Sequence, residues 1–137
     1  MSFAFHQATD FDERKIPTEM IQFLVDIAHV ATGSGQRQDA ENIFEGVIAA
    51  RPRDELPFIA YAFMRMAFGE YVEATHLLME QALKINPESA MAKAFYGLLL
   101  YQVGRKGESD TILKRIIHEG KDKDAIALAE SIINEGK

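Results

Sequence analysis

Glu73 and His76 are the pair in this chain best spaced to hold a metal. Glu-x-x-His is the helical spacing used by carboxylate-bridged di-iron bundles. Such a centre needs a second copy of the motif and two further Glu on facing helices, whereas this sequence has one copy. The four histidines, His6, His29, His76 and His118, lie far apart, and there is no cysteine. Thiolate zinc sites and disulfides are therefore excluded. Gly33-Ser34-Gly35 has the glycines of a phosphate loop but lacks the following Gly-Lys-Ser/Thr, so it reads as a turn that ends a helix. No Ser, His and Asp can be phased into a nucleophilic arrangement. Asp39, Glu41, Glu45 and Glu73 are spaced like a solvated helical face. The sequence thus predicts no catalytic residue, no metal, no cofactor and no enzyme.

Composition narrows the remaining choices. The 137 residues make one domain by length, and a net charge of -6 with scattered Lys and Arg argues against nucleic acid. Lys121 and Lys123 alternate with Asp122 and Asp124, and Arg51 and Arg53 sit beside Asp54 and Glu55. The first residues lack the basic start and long apolar run of a secretion signal. No stretch reaches the roughly 18 unbroken apolar residues of a membrane span. A soluble protein of a reducing cytoplasm is the expectation.

The elements follow from periodicity. Glycine, a small residue five positions on, and a large apolar one four further recur as Gly35-Ala40-Phe44, Gly69-Ala74-Leu78 and Gly104-Ser109-Leu113, with glycines 34 and 35 residues apart. A period near 34 residues marks helix-turn-helix repeats of the tetratricopeptide kind. Residues 1–15, with Phe3, Phe5 and Phe11, read as an arm, and 16–137 as the repeat domain. Its units cover about 20–53, 54–87 and 88–121, with a capping helix at 122–135. Pro17 opens the first helix, whose apolar stripe is Met20, Ile21, Leu24, Ile27 and Ala28. Asp54 is placed as an N-cap, and Asn86 as the cap before Pro87. The expected fold is all-α: a right-handed solenoid of three helix-turn-helix units with a C-terminal capping helix.

These residues resemble the tetratricopeptide repeat family. Unit one gives Leu24, Ala28, Gly35, Ala40, Phe44 and Pro52; unit two gives Phe58, Tyr61, Ala62, Gly69, Ala74 and Leu78; unit three gives Tyr96, Gly97, Gly104, Ser109 and Leu113. Arg65 and Lys93 depart from the family, which usually has bulky apolar or aromatic residues there. A narrower resemblance rests on Asp39-Ala40-Glu41, Arg51-Pro52, Gly69-Glu70-Tyr71-Val72-Glu73-Ala74 and Val103-Gly104. It is to the small tetratricopeptide-like proteins of bacterial type III secretion, both Hrp-type members and needle-subunit chaperones. That resemblance implies a cytosolic chaperone or adaptor holding an amphipathic helix of a partner. The client implied is the needle subunit, with a small helical co-chaperone; the alternatives are a translocator chaperone and a structural homo-oligomer.

The repeat phase places a groove along the first helix of each unit. Ile59, Phe63 and Met66 line it in unit two, with Leu56 at its edge, and Met91, Phe95, Leu98 and Tyr101 in unit three. Gln22, Val25, Asp26 and His29 make its polar start. The helix Leu56–Phe68 carries one charge, Arg65, in thirteen residues. A helix apolar all round must be covered all round, and each large side chain left wet forgoes about 1.5–3 kcal/mol. The cover is a foreign helix, a second copy in a homodimer, or the arm bearing Phe3, Phe5 and Phe11.

Overall fold

The computed structural model describes residues 18–135, with side chains from Gln22 onward except Leu24. The arm, Pro17, and the side chains of Met20, Ile21 and Leu24 lie outside the described residues. Seven helices, and no strand among the described residues, form three hairpins and a closing helix. The first hairpin is α1 (Thr18–Gly33) with α2 (Arg37–Ala50), and the second is α3 (Glu55–Ala67) with α4 (residues 71–85). The third is α5 (Ala90–Gln102) with α6 (Lys106–Glu119), followed by α7 (Lys123–Glu135).

One turn is built three times. Gly35, Gly69 and Gly104 take φ of 81°, 74° and 90°, the left-handed region that costs other residues energy. After each, the next N–H reaches back five residues to a helical carbonyl. Gln36 donates to Ala31 at 2.8 Å, Glu70 to Arg65 at 2.9 Å and Arg105 to Leu100 at 2.8 Å. This is the long bond of a Schellman ending, which satisfies an orphan carbonyl and reverses the chain. The repeated glycine is thus the cause of the repeated hairpin.

The starts of α3, α5 and α7 are set by side-chain acceptors. Asp54 Oδ1 accepts from Leu56 N at 3.0 Å and Asp122 Oδ1 from Ala125 N at 3.1 Å. The α5 cap is Ser89, whose Oγ accepts from Ala92 N at 3.1 Å, and not Asn86 as the sequence suggests. Asn86 instead accepts from Glu88 N at 3.1 Å in a local turn and donates to Glu55 at 2.8 Å, tying the end of α4 to the start of α3. Within α4 the stretch His76–Ala82 is π-helical, flanked by α-turns at Tyr71–Thr75 and Leu83–Ile85.

The core runs the length of the stack. Phe44 is fully buried and stacks on Tyr61 with centroids 5.2 Å apart, locking the first hairpin to the second. In the third, Leu113 packs directly on Gly97, and the Ser109 hydroxyl donates to the Gly97 carbonyl at 2.7 Å. On α1 the residues reaching the core are Val25, Ala28 and Ala31, whereas Ile27 is exposed together with Phe23 and Val30. The expected stripe is therefore rotated at Ile27.

Arg65 shows why a charge is tolerated inside this array. Its guanidinium donates to Glu70 at 3.0 Å, Glu41 at 3.3 Å and the Tyr61 hydroxyl at 2.9 Å. Arg37 bonds the same two carboxylates. Two arginines and two glutamates thus tie α2, α3 and the α3–α4 turn together. The hydrogen bond from Arg37, and then that from Arg65, holds the Glu70 carboxyl below the usual carboxylate range. A depressed carboxyl stabilises the fold above its ordinary pKa and loses that contribution as pH falls through the folded value. Glu70→Gln is therefore expected to cost up to about 1 kcal/mol near neutral pH. The gap from wild type should narrow as pH falls below the ordinary carboxylate range, as urea unfolding at neutral and acid pH would show.

Candidate partner-binding groove

The first helix of each hairpin, α1, α3 and α5, contributes a wall to one apolar cavity of about 280 Å3, and α7 supplies another. Ile59 and Phe63 come from α3, Met91 and Phe95 from α5. Gln22, Val25 and His29 line the α1 side, and Leu128 the α7 side. Leu56 lies at the edge it shares with a wider hollow of about 500 Å3, which also borrows Ile59 and Met91. That hollow carries the groove toward the N-terminal ends of α3, α5 and α7, past Asp54, Glu88 and Asp122.

Aromatic rings cross the groove from helix to helix. His29 meets Phe63 edge-on with centroids 5.8 Å apart, and Phe63 meets Phe95 at 5.5 Å. Edge-to-face pairs of this kind favour one fixed arrangement of rings. Phe63 is 40% exposed at the centre of this chain. His29 also touches Phe44 in the core, and its Nε2 is buried without a hydrogen-bond partner among the described residues. Gln22 is held toward Asp26 by a 3.0 Å bond.

Three residues expected in the groove lie elsewhere. Met66 is 3% exposed and packs in the core with Phe58, Ala62 and Leu78. Spacing explains the difference. Phe58, Ala62 and Met66 fall four apart and form the α3 ridge facing α4, whereas the groove ridge runs Ile59, Phe63, Ala67. Leu98 is half-buried and packs among the residues of the second and third hairpins. Tyr101 is half-buried on the α6–α7 side, with Lys106 Nζ 5.4 Å over its ring. Conversely Leu128, read from sequence as part of the capping stripe, reaches the groove.

The expectation that α3 leaves a wide wet face is also corrected. Phe58, Ile59, Ala60, Tyr61, Ala62, Met64 and Met66 are all buried, and of the large residues only Phe63 and Phe68 are exposed. The helix is sandwiched between the first hairpin and α4 with α5, so its neighbours cover more than one face. What remains open is narrow and centred on Phe63.

Glu73 and His76 stand exposed on α4, on either side of the change to π-helical winding. Among the described residues no three His, Asp or Glu converge as metal ligands. No described helix is long and apolar enough to cross a membrane.

Antiparallel helix pairs with a glycine ending in each turn, stacked so that their first helices share a groove, define a tetratricopeptide-like array. The chain belongs to the bacterial type III secretion protein family HrpB1_HrpK, whose model matches residues 11–135. Solved structures show the same fold. The Yersinia enterocolitica type III secretion translocator chaperone SycD is similar with a TM-score of 0.68 at 18% identity, over 89% of this chain and 91% of that one. SycD in complex with a peptide of the translocator YopD gives 0.60 at 18% identity, over 90% and 99%. The first TPR of Spaghetti (RPAP3), bound to the HSP90 peptide SRMEEVD, gives 0.61 at 13% identity, over 88% and 95%. At such identities the likeness is one of fold. The comparison with curated proteins finds no match.

Proposed function

We propose that this protein is a type III secretion chaperone that holds an apolar segment of a translocator in its groove before export, on the cytoplasmic side. It works by binding rather than by catalysis. The observation that carries the reading is the Phe63 ring, exposed at the centre of a concave apolar cavity built by four helices. An amphipathic helix or an extended segment with spaced apolar anchors is the natural cover for such a surface.

The secretion family and the fold shared with a translocator chaperone support a translocator client. The needle subunit with a small helical co-chaperone, which the narrower sequence resemblance implies, stands second because the structural likeness favours the other client. A homo-oligomer stands third, on the exposed Phe23, Ile27 and Val30 of α1.

Titration of the purified chain with peptides from the translocator of its own secretion system tests this, with mass measured in solution. One peptide per chain with a micromolar Kd is expected, since the open surface is small and association carries its own entropic cost. Binding to the needle subunit alone would move the assignment to the second client. A dimer that excludes both would favour the third.

A further inference from the structure

Lys93 is where an array of this pattern usually has a bulky apolar residue, and the groove makes no use of it. It lines a separate cavity of about 300 Å3 between α4, α5 and α6, which shares no residue with the groove. Met79 and Leu83 come from α4, Tyr96 from α5, and Ile112 and Arg115 from α6. The π-helical winding of α4 matters here: its i→i+5 pairing brings residues four to five apart into line, and Met79 and Leu83 both reach this cavity.

Lys93 is half-buried and Arg115 exposed, and neither side chain makes an ion pair or hydrogen bond among the described residues. Arg37, Arg65 and Arg105, by contrast, are each matched to a carboxylate. One carboxylate, Glu119, also lines the cavity, but it lies beyond ion-pair distance of both. Two unmatched cations against one acid leave a positive rim on an apolar hollow. Small-molecule sites occupy roughly 300–1,000 Å3 and combine apolar walls with few polar groups that fix orientation. This cavity sits at the lower end of that range.

We propose that the cavity is a second binding site, for a small amphiphilic carboxylate. Its apolar body seats against Met79, Leu83 and Ile112, and its carboxylate lies between Lys93 and Arg115. Charge-assisted bonds from two cations make the carboxylate the determinant of affinity. The site goes beyond the proposed chaperone activity and stands without it.

Methyl-detected NMR of the full chain, titrated with octanoate and with N-acetyl-phenylalanine, tests the proposal. Saturable shifts at Met79 and Ile112 are expected, with octanol and N-acetyl-phenylalanine amide weaker by about tenfold or more. The tighter of the two acids tells whether the natural source is an acyl chain or the C-terminus of a peptide. Arg115→Glu, an exposed change, should weaken the acids about tenfold while leaving the octanol shifts in place. Lys93→Met should do the same, with folding checked by circular dichroism. Equal binding of acid and uncharged analogue, no effect of Arg115→Glu, shifts confined to Ile59 and Met91 of the groove, or no shift with either acid would each overturn the site.

Discussion

Phe63→Asp is expected to abolish capture of the partner segment while leaving the fold in place. The ring is the centre of the groove and touches both His29 and Phe95, so any chain seated there must cover it. A carboxylate at that position would be buried without a cation, because no Lys or Arg lines this cavity. Central aromatic anchors cost about 2 kcal/mol or more on truncation, and a buried charge adds a desolvation penalty. The loss in affinity should therefore exceed about 30-fold. Because the side chain is already 40% exposed, helix content and thermal unfolding should change little. Phe95→Asp should also abolish capture. Phe95 is half-buried against the second-hairpin core, though, so that variant will lose stability as well. The pair separates a binding defect from a folding defect. Unchanged affinity in Phe63→Asp would place the partner on another surface.

Gly97→Val is expected to be the most damaging change to the fold. An added Cβ at position 97 would stand 2.6 Å from Leu113 Cδ2 and 3.0 Å from its Cγ. Leu113 has no exposed surface into which to retreat, and Ser109 fixes the spacing of the two helices through its 2.7 Å bond to the Gly97 carbonyl. Overpacking in a rigid interior costs typically 1–3 kcal/mol, and this site belongs at the upper end, about 3 kcal/mol. For a chain of this length that lowers Tm by roughly 10 °C. Gly97→Ala should fall between, since the better helix propensity of alanine returns about 1 kcal/mol. Adding Leu113→Ala to Gly97→Val should recover part of the loss, and calorimetry of the double variant would show that coupling. Independent effects would mean that α5 and α6 do not meet at this contact.

The hairpin plan was readable from the chain because its signals are local. Glycine at 35, 69 and 104 creates the same turn wherever it stands, and Ala40, Ala74 and Ser109 are small because a helix packs closely there. The groove was only partly readable, because which ridge of a helix faces outward depends on its neighbours. Ile59 and Phe63 share one ridge, but Met66 belongs to the next, which the repeat phase alone does not separate. Leu98 and Tyr101 were misplaced because α7 folds back on α5, and the same return brings Leu128 into the groove. Nothing within the span 122–135 announces such a meeting. Arg65 reads as a defect in the pattern because both carboxylates that pair with it, Glu41 and Glu70, come from outside α3.

The widened winding at His76–Ala82 has a counterpart in the spacing of the glycines. From Gly35 to Gly69 the chain takes 34 residues, but from Gly69 to Gly104 it takes 35. Both stretches bridge equivalent turns of neighbouring hairpins, so the second carries a surplus residue that regular winding would push into a loop. Looser coils in the rod absorb it, and the neighbouring units keep their pitch. The extra residue is thereby held inside a helix, in the stretch from which Met79 reaches the outer hollow.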